Sequence, residues 1–380
     1  MTIGFVHPHK AFLPEIEAYT RFFESCGIRC AVLKKDGLDK WRPAVEWWFM
    51  GMDRHPRRPG VIRIHEYASA SLPPWRRLKD QVKTLVSYRP DYRLFLNAYV
   101  RDQFGFTDGV PYGLRDMGIA GEFFGTAGTQ LPAADLTGNL PGTAVGAEKE
   151  LENVFGTNQG WAVIPDSQEP EEGKAAEKRF FGTNQREAQV PGSSPVQTAK
   201  EVLGLLQYDF IYCGSVGKDV QLTPLLDLFR SGGALADCSI LVLSRDYDAL
   251  AARYQDTPSI FFRGPVPNTA VASLIRRARY AINYRPAVAP VMYQTSTKLL
   301  EYAACGVGIV TTRLPWVEWL QQQYGGNFFY LEPGLGNLDK AALEQFPFAF
   351  PDLSDWTWEK QIARSGVVDF LREKLPGIFQ

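Results

Sequence analysis

The sequence predicts an α/β fold built from two doubly wound parallel sheets, with an irregular insertion between them. Three observations carry this reading. Short apolar, strand-like runs alternate with helix-spaced patterns over residues 1–120 and again over 201–330, and that alternation builds parallel sheets covered on both faces. The length of 380 residues suits two or three domains. Residues 125–200 break the pattern, with ten Gly, six Pro and only four aromatics. The expected organisation is an N-terminal domain over 1–124, the insertion over 125–200, a C-terminal domain over 201–345 and a helical tail over 346–380.

In the first half, Met1–Val6 reads as a strand that ends in the loop His7-Pro8-His9. Leu13–Cys26 has helical spacing and stops at Gly27, a C-cap position. Ile28–Leu33, Glu46–Met50, Val61–Ile64 and Arg93–Leu96 read as further strands, and Trp75–Ser87 as a basic helix. In the second half, Tyr208–Cys213 is a strand ending in Gly214-Ser215, and Leu222–Arg230 a helix. Ser239–Ser244, Ser259–Arg263, Ala281–Tyr284 and Gly308–Thr312 are strands. Asn268–Ala278 and Ser296–Ala304 are helices, and Trp356–Leu375 looks helical. The insertion contains an echo, FFGTAGTQ, VFGTNQ and FFGTNQ, at unequal spacing, which argues against a solenoid. It reads as a loosely packed insertion, or as a lid or partner-binding segment.

Composition excludes several classes. Apolar residues at 45% and aromatics at 13% exclude a wholly disordered chain. A net charge of −1 provides no global field for nucleic acid. No apolar run reaches membrane-spanning length, and the opening residues lack a signal-peptide pattern, so a cytoplasmic location is expected. Cys26, Cys30, Cys213, Cys238 and Cys305 form no CxxC pair and read as reduced core thiols. The four histidines, His7, His9, His55 and His65, lack zinc-site spacing, so no metal cofactor is expected. Asp246-Tyr247-Asp248 matches a three-residue metal-binding pattern that recurs by chance.

The most informative stretch is residues 281–312. A helix opens at Ser296-Thr297-Lys298, and a helix start offers unpaired N–H groups and a positive dipole end to phosphate. The hydroxyls and the Lys298 ammonium add donors. Glu301, three residues on, shares the face of Lys298 and could accept both hydroxyls of a ribose. The bland alternative is that Ser296 caps its helix and Glu301 is a surface residue. His65-Glu66 is expected just after a strand, where an open α/β sheet carries its ligands. Either could take the proton of an attacking hydroxyl. His9 and Glu15 compete for that role. Arg54, Arg57, Arg58, Arg63, Arg76, Arg77, Lys79 and Lys83 lie near Trp41, Trp47, Trp48 and Trp75 in sequence, a combination that fits either a solvated face with core tryptophans or a surface that docks an anionic membrane or a lipid-diphosphate acceptor.

The run STKLLEYAACGVGIVTT resembles the donor-site segment of GT-B glycosyltransferases. YDFIYCGSVGKD and IFFRGPVPNTAVASLIRRARYAIN resemble other parts of that family's C-terminal domain, and VIRIHEYASAS, RPDYRLFLNAYV and VPYGLRDMGI resemble bacterial polysaccharide-type members. The resemblance implies two Rossmann-like domains facing a cleft. It implies a nucleotide-sugar donor on the C-terminal domain and a saccharide or lipid-linked acceptor on the N-terminal one. UDP, GDP and dTDP are the candidate nucleotides. By position, Gly214 and Ser215 would approach the diphosphate by backbone and Lys218 would neutralise it. Ser296, Thr297 and Lys298 would hold phosphate and Glu301 the ribose, while Arg263, Gly264 and Val266 would flank the base. Metal-independent transfer follows, because helix dipole and cations replace a metal. It further implies bacterial polysaccharide or glycolipid assembly, with peripheral membrane contact through the N-terminal domain. Three departures stand out. The first carboxylate of the E-x7-E pattern is replaced by Tyr293, the cation after the glycine loop, often Arg in the family, is Lys218, and relatives lack the insertion of about 80 residues. The alternative function is a catalytically silent scaffold that holds a partner with its insertion.

Overall fold

The computed structural model describes residues 1–7, 13–49, 53–72, 75–125, 207–216 and 221–379. The insertion expected over 125–200, including its echoed FGT turns, lies outside the described residues, apart from Gly125. So do His9 and Lys218.

The N-terminal half is a six-stranded parallel sheet. Its strands are β1 (Thr2–Val6), β2 (Arg29–Leu33), β3 (Val45–Phe49), β4 (Ile62–Tyr67), β5 (Tyr92–Phe95) and β6 (Tyr112–Leu114), in the order 2-1-3-4-5-6. Helix α1 (Pro14–Ser25) follows β1, and α2 (Leu38–Trp41) follows β2. α3 (Arg76–Val86) follows β4, and α4 (Ala98–Phe104) follows β5. Apolar residues fill β1 and β3 on the face that meets Tyr19 and Phe23 of α1. Phe5, Trp47, Phe49, Tyr19 and Phe23 form one aromatic cluster there.

The C-terminal half repeats the plan. Strands β7 (Tyr208–Cys213), β8 (Ile240–Leu243), β9 (Ile260–Arg263), β10 (Ala278–Asn283), β11 (Gly308–Thr312) and β12 (Phe329–Leu331) are parallel, in the order 12-11-10-7-8-9. Counted from β7, this is the Rossmann order 6-5-4-1-2-3, with its topological switch between β7 and β10. The connecting helices are α5 (Thr223–Asp227), α6 (Asp248–Arg253), α7 (Asn268–Ile275), α8 (Thr297–Ala304) and α9 (Pro315–Tyr324). α10 (Lys340–Gln345) follows β12.

Three differences from the sequence reading matter. β4 runs on to Tyr67, because His65 and Glu66 pair with Arg93 and Leu94 of β5; both residues therefore lie inside a strand rather than after it. The helix expected to reach Ala278 stops at Ile275, since Ala278 pairs with Tyr208 and opens β10. The tail is two helices, α11 (Trp358–Arg364) and α12 (Val367–Lys374), broken at Gly366, whose φ is +71°.

The tail docks on the N-terminal half. Val367, Phe370 and Leu371 enter the aromatic core around Trp47. Two glycines permit the close approach. A Cβ at Gly113 would lie 1.8 Å from the Ser365 carbonyl oxygen, and one at Gly118 would lie 2.5 Å from the Trp358 ring. Tyr92 Oη donates to the Ser365 carbonyl at 2.7 Å, and the Ile119 N–H to the Trp356 carbonyl at 2.7 Å. The two halves also share a core in which Phe95, Ile119 and Phe123 meet Val271, Leu300 and Tyr302.

Candidate active site

The switch point of the C-terminal sheet brings two chain segments side by side. Gly214-Ser215 leaves β7, and the start of α8 lies across from it. The contact is specific. Tyr302 of α8 accepts the Cys213 N–H on its hydroxyl at 2.8 Å, and Tyr212 Oη donates to the Ser215 carbonyl at 2.7 Å. A Cβ on Gly214 would come 3.0 Å from the Tyr212 hydroxyl, so a side chain there would press on this tie.

At the start of α8, the Ser296 hydroxyl is engaged. It accepts the Leu299 N–H at 3.4 Å as N-cap and donates to Asn283 Oδ1 at 2.6 Å. Its role is to cap the helix and lock it to the end of β10, which in turn orients the N–H groups of Thr297 and Lys298. Thr297 and Lys298 are only partly buried. Lys298 Nζ donates to Glu301 Oε2 at 2.7 Å. Burial opposes both charges and pushes the Glu301 carboxyl up, while the ammonium pulls it back. Burial likewise opposes the Lys298 charge, but the Glu301 carboxylate outweighs it and holds the ammonium above its ordinary value. A ribose at Glu301 would share that carboxylate with Lys298.

Arg285, just beyond β10, escaped the sequence reading. Its Nη1 donates to the Gln294 carbonyl at 3.2 Å, and its backbone N–H to Thr312 Oγ1 at 3.1 Å. Among the described residues no carboxylate pairs with it, and burial pushes its guanidinium down to about 10. A half-buried arginine with no counter-ion at a switch point is a ready anion partner. The only sequence signal was its place directly after a strand, in the run NYRP. Arg263 ends β9, the edge strand, and Gly264 and Val266 follow it on the same C-terminal side of the sheet. Asp246 and Asp248 are exposed at the head of α6.

On the N-terminal side, the structure separates His65 from Glu66. His65 is 4% exposed, with Nε2 2.9 Å from Asp53 Oδ2 and Nδ1 3.4 Å from the Tyr67 hydroxyl. Burial lowers its pKa against the pull of Asp53. It belongs to a network in which Arg63 binds Glu46 at 2.6 Å and Asp53 at 3.0 Å. Both ring nitrogens are engaged. Glu66 faces the other side of the sheet. Trp47 Nε1 donates to its Oε2 at 2.8 Å, and Arg115 holds its other oxygen. Glu15 lies 4.0 Å from the same guanidinium, and burial raises its carboxyl to about 7.

The carboxylate that does reach across the halves is Asp116, after β6. It is half-buried, and the Thr295 hydroxyl donates to its Oδ1 from the residue before the α8 cap. The Met117 N–H donates to the same oxygen at 2.8 Å. Burial raises this carboxyl to about 6, against those hydrogen bonds. Beside it, Tyr293 stacks on Tyr99 with ring centres 4.6 Å apart, and its carbonyl accepts Asn97 Nδ2 at 3.0 Å. The position that lacks the expected carboxylate is thus an aromatic contact between the halves.

Residues 228–327 match the family described as glycosyl transferase-like. The whole chain is similar to a glycosyltransferase from Rickettsia africae at 9% identity, over 99% of both chains and with a TM-score of 0.50. The fold is that of a GT-B glycosyltransferase. It is also similar to AviGT4, a glycosyltransferase involved in avilamycin A biosynthesis, at 12% identity over 99% of this chain and 98% of that one, with a TM-score of 0.49. A search of curated proteins finds no matching sequence. The glycosyltransferase match spans β8 through β11, and so contains Arg263, Arg285, Lys298 and Glu301.

Proposed function

We propose that the chain transfers a sugar from a nucleoside diphosphate donor, linked to UDP, GDP or dTDP, to a saccharide or lipid-linked acceptor held by the N-terminal half. The observation that carries this reading is the pairing of Arg285 and Lys298 with the free N–H groups at the start of α8, all at one switch point. Two cations and a helix start neutralise a leaving diphosphate without a metal. Gly214 and Ser215 approach it by backbone, Glu301 takes the ribose, and Arg263, Gly264 and Val266 flank the base. Lys218 lies outside the described residues and is assigned only by its place after the glycine turn.

Asp116 is the carboxylate best placed to take the acceptor proton. It lies beside α8, and its raised pKa suits proton transfer near neutrality. A lipid-linked acceptor would bring the N-terminal half to a bilayer. Among the described residues, no helix is long and apolar enough to cross a membrane.

Titration calorimetry with UDP, GDP and dTDP tests the donor site. We expect one of the three to bind, and Lys298→Ala and Arg285→Ala each to weaken it by about ten- to a hundredfold. Lys298→Ala leaves the buried Glu301 without its ammonium, so affinity is compared at temperatures where a melting curve shows the variant folded. Unchanged nucleotide affinity in both variants would remove the assignment.

A further inference from the structure

A cavity of about 280 Å³ opens on the N-terminal half, between the C-terminal ends of α3 and α4. Tyr67 of β4 and Arg93 of β5 line it from the sheet, Tyr88 and Arg89 from beyond α3, and Phe106 and Asp108 from beyond α4. Arg93 is 4% exposed. Its two Nη atoms donate to Asp108 Oδ1 and Oδ2 at 2.6 and 2.7 Å, and the Phe106 ring centre lies 3.7 Å from its guanidinium carbon. Its Nε is buried with no hydrogen-bond partner among the described residues, and folded proteins rarely leave such a group alone.

What the cavity can hold follows from which of its groups are spent. Asp108 is spent. Besides Arg93 it accepts the Val110 N–H at 3.3 Å, and the Arg93 hydrogen bonds hold its carboxyl down to about 2, so it counts as one negative charge. Arg89, at the mouth, is 65% exposed. Its Nη2 donates to the Asp108 carbonyl at 2.7 Å, and its Nε stands 3.8 Å from the carboxylate that Arg93 already fills. The Ser87 hydroxyl accepts the Asp53 N–H at 3.2 Å and keeps its own proton to give. Two guanidiniums thus face one carboxylate, and most of the remaining capacity is that of donors. Nearby charges cancel, Arg57 with Asp91 and Lys83 with Asp80. This sign repels a metal cation and is balanced by a single anionic group. The volume lies at the small end for ligand sites, which suits one ring. Tyr88 and Phe106 offer apolar ring faces, while Ser87 can donate and Thr84, whose proton goes to the Asp80 carbonyl, can accept. Apolar faces beside hydroxyl partners match the C–H face and hydroxyl edge of a sugar.

We propose that this cavity binds a single sugar ring carrying one acidic group, a carboxylate or a phosphate, with the acid on Arg89 and the ring against Tyr88 and Phe106. The cavity shares no residue with the donor site, and the proposal does not depend on that reading.

Titration calorimetry on the full chain tests it, with excess UDP, GDP and dTDP present to keep any donor site filled. The probes are glucuronate, galacturonate, glucose 1-phosphate and glucose 6-phosphate, with glucose and inorganic phosphate as references. At least one acidic sugar should bind about tenfold or more tightly than glucose. A uronate would identify the acid as a carboxylate, and a sugar phosphate as a phosphate. Arg89→Ala should weaken that binding about tenfold and Arg89→Glu about a hundredfold. Arg89 is mostly exposed, so both variants should melt with the native chain. The proposal is overturned if none of the four acids binds more tightly than glucose, or if Arg89→Glu binds as well as the native chain. It is also overturned if inorganic phosphate matches the best acidic sugar, since the cavity would then read charge alone. Nucleotide affinity should be the same in Arg89→Glu and the native chain, so each of these failures leaves the donor assignment standing.

Discussion

The two halves have the same architecture and treat their charges in opposite ways. Among the described residues, the C-terminal half leaves Arg285 without a counter-ion at a switch point, and Lys298, paired only with Glu301, is partly exposed there. The N-terminal half closes the charges inside its sheet on one another. Arg63, Glu46, Asp53 and His65 close on one another on one face of the sheet, and Arg115, Glu66 and Glu15 on the other, all at 4% exposure or less. Polar residues at strand ends are therefore weak evidence of chemistry by themselves. What separates a site from a structural network is whether its hydrogen-bonding capacity is already spent.

The sharpest way to break this comparison is to remove the guanidinium at the centre of the first network. Arg63→Met leaves two buried carboxylates short of a cation, Glu46 with Arg58 alone and Asp53 with His65 alone. We expect a loss of about 3–5 kcal/mol in urea denaturation, with nucleotide affinity preserved at temperatures where the variant is folded. A loss under about 1 kcal/mol would mean that these charges are not a structural unit.

A comparable effect on rate should appear where the two halves meet. Asp116→Asn keeps the shape of a side chain that meets Thr295 and removes its basicity. Sugar transfer should fall by about 10²–10⁴-fold, and His65→Asn should keep most of the activity of the folded chain. The reverse ranking would return the role of base to His65.

This contrast also shows what was legible in the sequence. The alternating strands and helices were readable because each ends in its own local signal, such as Gly27, Gly214 or the Ser296 cap. The start of α8 stood out because its candidate residues lie within one helical turn or two. Asp116 was not, because its partner Thr295 is 179 residues away. Arg285 looked like a loop residue before a proline, and nothing nearby in sequence shows that it lacks a carboxylate. His65 was misplaced for a related reason. The strand that holds it is extended by pairing with β5, and Asp53, which occupies its ring, lies on a loop that carries no pattern of its own.

The Glu15 carboxyl gives a further test, through pH. Its native value of about 7 lies above the ordinary 4.5, so between those values the folded chain keeps a proton that the unfolded chain has released. The stabilisation is complete below about pH 4.5 and is lost as pH rises through 7. It amounts to about 3 kcal/mol. Asp116 contributes in the same direction, and His65, held neutral, in the opposite one. The useful quantity is therefore the difference between the native chain and Glu15→Gln, whose side chain is neutral at every pH. Melting temperatures at pH 5 and pH 8 should diverge less in the variant. Equal divergence would place the ionised form of Glu15 in the folded core.

The smallest expected effect separates capping from ligand binding at α8 itself. The Ser296 hydroxyl has two partners, the Leu299 N–H and Asn283 Oδ1, so little capacity remains for a phosphate. Ser296→Ala should cost about 1 kcal/mol in stability and change nucleotide affinity by less than about threefold. Lys298→Ala should show the reverse weighting, with affinity lost by about ten- to a hundredfold in the folded chain. If Ser296→Ala instead weakens the nucleotide as strongly as Lys298→Ala does, the hydroxyl must leave Asn283 when the donor binds. The start of α8 would then rearrange on binding, and the distinction between spent and open groups would have to be drawn on the bound state.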